Sequence, residues 1–140
     1  MSLRAFYLVA FLAIAAPSQA QQGHLPEGFD FDTLAACAIV YQRVGEIYAT
    51  SGDTVQSTQF KDTGFAFSAS AYHVLKYLTD SQDEAFAFAE SRMTQVTDGL
   101  NAGLEAVGGE MAVIEQWLPY CDTLGPGVSE ILAKREMEGW

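Results

Sequence analysis

The chain has 140 residues, about one domain's worth. It is 49% hydrophobic and 18% charged, with 12 Gly and 4 Pro, which excludes a disordered, collagen-like or low-complexity chain. Eighteen acids against seven bases give a formal charge of −11, which argues against nucleic acid as a partner, and two cysteines are too few for a Cys-ligated structural zinc site.

Residues 1–20 read as a cleaved export signal. Arg4 supplies the positive start, Ala5 to Ala16 is a twelve-residue run without charge, and Pro17 breaks it. Ser18-Gln19-Ala20 then places small residues at the −3 and −1 positions of a peptidase site. Such a run spans roughly 18 Å as a helix, short of a ~30 Å hydrocarbon core. Later apolar stretches are interrupted by Asp, Glu, Arg or Gln, so no membrane span is expected after cleavage. Removing Arg4 with the leader leaves six bases against eighteen acids, a formal −12. The expected destination is the periplasm or the cell exterior.

Export makes the cysteines readable. Cys37 and Cys121 are the only pair, and in an oxidising compartment an even pair forms one bridge. The chain-entropy estimate for closing so long a loop is about 4.6 kcal/mol, an upper figure. No Cys-x-x-Cys spacing marks a redox-active pair.

Residues 21–31 form a polar, Gly- and Pro-containing lead-in, and residues 32–140 read as a single helical domain. In the first helix, near 33–50, Leu34, Cys37, Tyr41, Val44 and Tyr48 share one face, widened by Ala38, Ile39 and Ile47. Asp32 or Thr33 is its expected cap and Gly52 its stop. After a polar stretch at 51–57, Phe60, Gly64, Phe67, Ala71, Val74 and Leu78 predict a second helix ending near 79. Phe65 and Tyr72 make a second apolar row beside the first.

Ser81-Gln82-Asp83-Glu84 has the form of a capping box. The helix it starts carries Phe86, Ala89, Met93, Val96, Leu100, Gly103, Leu104 and Val107 at helical spacing, up to a break at Gly108-Gly109. A fourth segment, Glu110 to about Leu124, presents Ile114, Trp117, Leu118 and Cys121 on one face. Pro119 predicts a kink, Gly125-Pro126-Gly127 a firm end, and Ser129 a cap for a short last helix over 130–137. Short connections between periodic segments predict an all-α, antiparallel four-helix-bundle-like domain with a short C-terminal helix, closed by one disulfide. Cys37 and Cys121 lie in the apolar stripes of the first and last major helices, which such a bundle makes neighbours.

The chemistry-bearing residues do not assemble into a known constellation. His73 has Ala69, Ser70, Lys76 and Tyr77 at helical ligand spacing, none of them a good ligand, so it reads as a partly exposed or hydrogen-bonded helix residue. His24 would stand third in the chain only if cleavage followed Gln21, so a metal-binding tail is not expected. A calcium loop starting at Asp98 fails, because Leu100, Ala102 and Gly109 occupy ligand positions. No Gly-x-Ser-x-Gly is present and no carboxylate pair is singled out by its surroundings. No metal, cofactor or catalytic residue is therefore assigned, and most acids read as solvated helix faces.

Gly99, Gly103 and Gly108 suggest tight helix packing, or a bundle cavity lined by Phe65, Phe67, Tyr72, Phe86 and Phe88. Two functions follow as expectations. The first is an exported, disulfide-stabilised, non-enzymatic binding or accessory protein for another protein or assembly. The second is a small-molecule carrier holding an apolar ligand in the bundle core.

Overall fold

A computed structural model describes residues 28–75, 79 and 81–138. The leader, His24 and most of the lead-in lie outside the described residues. Those described form four helices and no strand: α1 (Phe31–Thr50), α2 (Thr54–Val74), α3 (Gln82–Val107) and α4 (Glu110–Glu138).

Local hydrogen bonds set where the helices start. Asp30, rather than Asp32 or Thr33, caps α1: its carboxylate accepts from the Thr33 amide at 3.2 Å and from the Thr33 hydroxyl at 2.8 Å. Asp32 is thereby released for a tertiary partner. α2 begins inside the stretch read as a polar linker, because Asp53 Oδ1 accepts from the Gln56 amide at 3.0 Å and caps a turn with little to bury. The end expected near 79 falls largely outside the described residues. Ser81 Oγ accepts from the Glu84 amide at 3.2 Å and starts α3 as its sequence predicts.

α4 runs unbroken through Pro119, Gly125, Pro126 and Gly127, so the last segment is helical but continues α4 instead of starting afresh. Both prolines are exposed and stand seven residues apart, hence on one face. On the solvent side the carbonyls crowded by the proline rings can tilt toward water, which lets the helix continue. The opposite face stays anchored, with Leu124 and Val128 buried and Ile131 and Leu132 packed on the core.

Contacts along the helices fix their directions. Phe29 meets α4 at Gly127, Cys37 at Cys121 and Arg43 at Glu110, so α1 and α4 are antiparallel. α1 and α2 are also antiparallel, with Tyr48 stacked on Phe60 at 5.3 Å and Tyr41 tilted on Phe67 at 5.1 Å. α1 and α3 run parallel, joined at Phe31–Phe88, Asp32–Arg92 and Arg43–Asn101. The result is an up-down-up-down bundle with α1 touching every other helix. Cys37 and Cys121 form the expected disulfide at a Cα separation of 5.6 Å, both fully buried.

The α1–α2 crossing is the tightest. A Cβ on Gly64 would come within 3.0 Å of the Ala38 carbonyl, and one on Gly45 within 3.1 Å of that of Ser57. The glycines at which two helix backbones come this close are thus on α1 and α2. Gly103 has nothing within 4 Å of where its Cβ would lie, so its place in α3 is not explained by tight packing.

Candidate functional site: the seam between α2 and α3

Close packing of α1 on α2, and pins between α1 and α3, leave α2 and α3 with little direct contact. The described links between them gather at one end, where the Tyr72 and Phe86 ring centroids are 4.6 Å apart and the Tyr72 hydroxyl donates to the Gln82 carbonyl at 3.5 Å. Beyond that pair the seam opens into a groove of about 420 Å³. Its floor is α1, through Ala38, Ile39, Gln42, Arg43 and Glu46. Gly64, Phe65 and Ser68 of α2 form one wall, and Met93 and Thr97 of α3 the other.

Fixed polar contacts hold this frame. Gln42 donates to the Lys61 carbonyl at 3.2 Å, tying the floor to α2. Arg43 donates to Glu110 at 3.1 Å and to Asn101 at 3.1 Å, gathering α1, α3 and α4 around the α3–α4 turn. At the other end Arg92 holds both Asp32 carboxylate oxygens through the Nε and Nη2 donors of one guanidinium edge, the Nε bond measuring 2.8 Å. The Asp32 side chain is 5% exposed, and its hydrogen bond holds the Arg92 guanidinium even further into its protonated range. Asp30 and Asp32 are thus buried, exceptions to the solvated faces read for most of the acids. The disulfide lies on the far side of α1, since Cys37 and Ile39 are about 200° apart around the helix.

The five aromatics expected to line a core cavity are scattered. Phe67 is buried against Tyr41. Tyr72 and Phe86 close one end of the seam, with Phe86 61% exposed. Phe88 turns away to meet Phe31 edge-on at 6.0 Å. Phe65 alone of the five lines the groove, and it is 71% exposed. The reason is the broad face of α2: one row fills the core, and the second is covered by α3 at Tyr72 but not at Phe65.

Apolar periodicity alone places Ile39 with the core face and so hides the floor. Its signal was present: Ile39, Gln42, Arg43 and Glu46 recur at three- and four-residue spacing, a mixed stripe offset from Cys37, Tyr41 and Val44. A second, much smaller space of about 10 Å³ lies among residues that include Ile39, Leu100, Val113 and Ile114, with room for one water at most.

Chemically the groove is suited to holding a surface. It offers one carboxylate at Glu46, hydroxyls at Ser68 and Thr97, and apolar area from Ile39, Phe65 and Met93. His73 is buried in α2, which removes the partly exposed alternative of its reading and leaves the hydrogen-bonded one, because its stretch of α2 faces the core. Among the described residues no group of three or more His, Cys, Asp or Glu is placed to hold a metal ion. No described helix is long and apolar enough to cross a membrane. No family model, curated protein or solved structure matches the chain.

Proposed function

We propose that this chain is an exported, disulfide-stabilised binding protein without enzymatic activity, and that it receives another protein at the α2–α3 seam. The observation that carries the reading is Phe65, a large apolar side chain left 71% exposed at the wall of a groove whose floor is held by polar cross-links. Exposed aromatics over a pre-formed concavity suit an interface anchor. Export is supported by the leader pattern of residues 1–20 and, more weakly, by a disulfide of the kind that forms and persists mainly in oxidising compartments.

The carrier reading retains one observation in its favour, a groove volume within the ~300–1,000 Å³ range of small-molecule sites. Its weakness is enclosure: a wall residue that is mostly exposed covers little of a bound molecule.

The test places a photo-crosslinking residue at position 65 in the full chain, expressed in its native host, with position 115 on the exposed face of α4 as control. A saturable adduct at 65 and not at 115, competed by unlabelled protein, is expected. A small-molecule mass carried through native mass spectrometry, with no adduct at 65, would replace this reading with the carrier. For export, the N-terminus of the recovered protein should be Gln21; an intact Met1 on protein retained in the cytoplasm would overturn it.

A further inference from the structure

We infer that the occupant of the seam is a short cationic amphipathic helix belonging to another protein. This rests on the docking role proposed above and adds the chemistry of the partner.

Size comes first. The floor from Ile39 to Glu46 covers about 10 Å of α1, roughly two helical turns. The Tyr72–Phe86 pair closes one end. A helix of two to three turns, with apolar side chains at i, i+3 or i+4 and i+7, matches that length and would cover Phe65, Ile39 and Met93.

Charge then selects among occupants. Glu46 lines the groove itself. On α3, Glu90 is exposed, four residues after Phe86 and three before Met93, so it borders the same stripe. Arg43 lines the groove as well, but its charge is met by Glu110 and it also donates to Asn101, while Arg92 is met by Asp32. Lys61 is the one base on the adjoining part of α2, and its stem lies over Gly45. The rim is therefore net negative on a chain whose formal charge is −11. A second copy of the chain or an anionic amphiphile meets repulsion there, whereas lysine or arginine flanking an apolar helix face meets opposite charge.

The probe is a twenty-residue helix-forming peptide of leucine and lysine with leucine at i, i+3, i+4 and i+7. It is set beside a scrambled peptide of the same composition, a leucine–glutamate version, and dodecanoate. Binding to the oxidised, signal-processed protein is followed by fluorescence anisotropy and by amide chemical shifts. The expected result is one-to-one binding with shifts at Ile39, Phe65, Met93 and Thr97. Phe65→Ser, at an exposed position that leaves the core intact, should weaken it roughly tenfold or more. Glu46→Gln with Glu90→Gln should weaken it about threefold to tenfold, while Glu115→Gln with Glu130→Gln, the same charge change on α4, should alter it less than twofold. Equal binding by the scrambled peptide, equal loss in both acid pairs, preference for dodecanoate, or a dimer closed through Phe65 would each overturn the inference. A crosslink at position 65 whose yield ignores the Glu46 and Glu90 changes overturns the charge assignment alone. Peptide binding with no crosslink at 65 in the host overturns the docking role instead.

Discussion

The Tyr41 hydroxyl donates to Asp122 Oδ1 at 2.5 Å, joining α1 to α4 one turn beyond Cys37 and next to Cys121. Burial of the phenol raises its pKa, and the Asp122 hydrogen bond and charge push it the same way. The neutral phenol is the form the fold favours. An unfolded tyrosine loses its proton near pH 10. Below that pH both states hold the proton and the contribution is complete; above it the unfolded chain releases the proton first, and stability falls as pH rises. Thermal melts should therefore be insensitive to this group up to about pH 10 and decline beyond it. Tyr41→Phe should cost about 1 kcal/mol at neutral pH and flatten the alkaline decline. An unchanged alkaline slope in that variant would assign the decline to another group.

The neighbouring disulfide has both cysteines at 0% exposure. A reductant reaches it only when α1 and α4 separate, so reduction in native buffer should be far slower than in denaturant. No thiol should titrate in the unreduced, denatured protein. Once reduced and blocked, the bundle should lose up to ~4 kcal/mol and melt more than about 10 °C lower. Rapid native reduction, or a melt unchanged after verified reduction, would show that the bridge does not hold these helices together.

What the sequence disclosed and what it hid have separate physical causes. The disulfide and the order of helices were legible because apolar residues repeat at helical spacing and both cysteines sit within those repeats. The continuity of α4 was hidden by Gly125-Pro126-Gly127, whose local preference for a break is outweighed by tertiary anchoring at Leu124 and Val128. The clue lay in the stripe Trp117, Cys121, Leu124, Val128, Ile131, which keeps its spacing across the break. Asp32 was hidden because a first-turn acid usually serves the helix end, and its partner is sixty residues away on α3. The aromatics Phe65, Phe67, Tyr72, Phe86 and Phe88 identified apolar rows but not which row would find a neighbour. That depends on how far α2 and α3 diverge, a property of the assembled bundle.

Gly127 offers a direct test of how α4 receives the chain before α1. A Cβ there would overlap the Phe29 ring. Gly127→Ala should therefore destabilise by roughly 1–3 kcal/mol, although alanine is the better helix former by about 1 kcal/mol. In a Phe29→Ala background the same change should become neutral or stabilising. Gly103→Ala, with open space around it, should gain about 0.5–1 kcal/mol in any background. Denaturant titrations of the four-member cycle supply the comparison, and a Gly127→Ala effect indifferent to Phe29 would sink the notch.

The Arg92–Asp32 pair holds α3 against the first turn of α1 and so sets one wall of the seam. Arg92→Met removes the cation and leaves a carboxylate that is 5% exposed without it. Breaking a buried pair costs about 3–5 kcal/mol; Arg92 is itself 21% exposed, so screening lowers the expected loss to roughly 2–3 kcal/mol. Replacing both residues, Asp32→Leu with Arg92→Leu, abolishes the orphaned charge and should recover most of that loss. The two variants should also differ at the groove. With Arg92→Met, α3 is free to move away from the buried carboxylate, and the amide shifts of Met93 and Thr97 should move further than in the apolar pair. Urea unfolding and amide spectra of both variants decide it: a loss under 0.5 kcal/mol in Arg92→Met, or a double variant no more stable than the single, would mean that α3 is held by its apolar contacts alone.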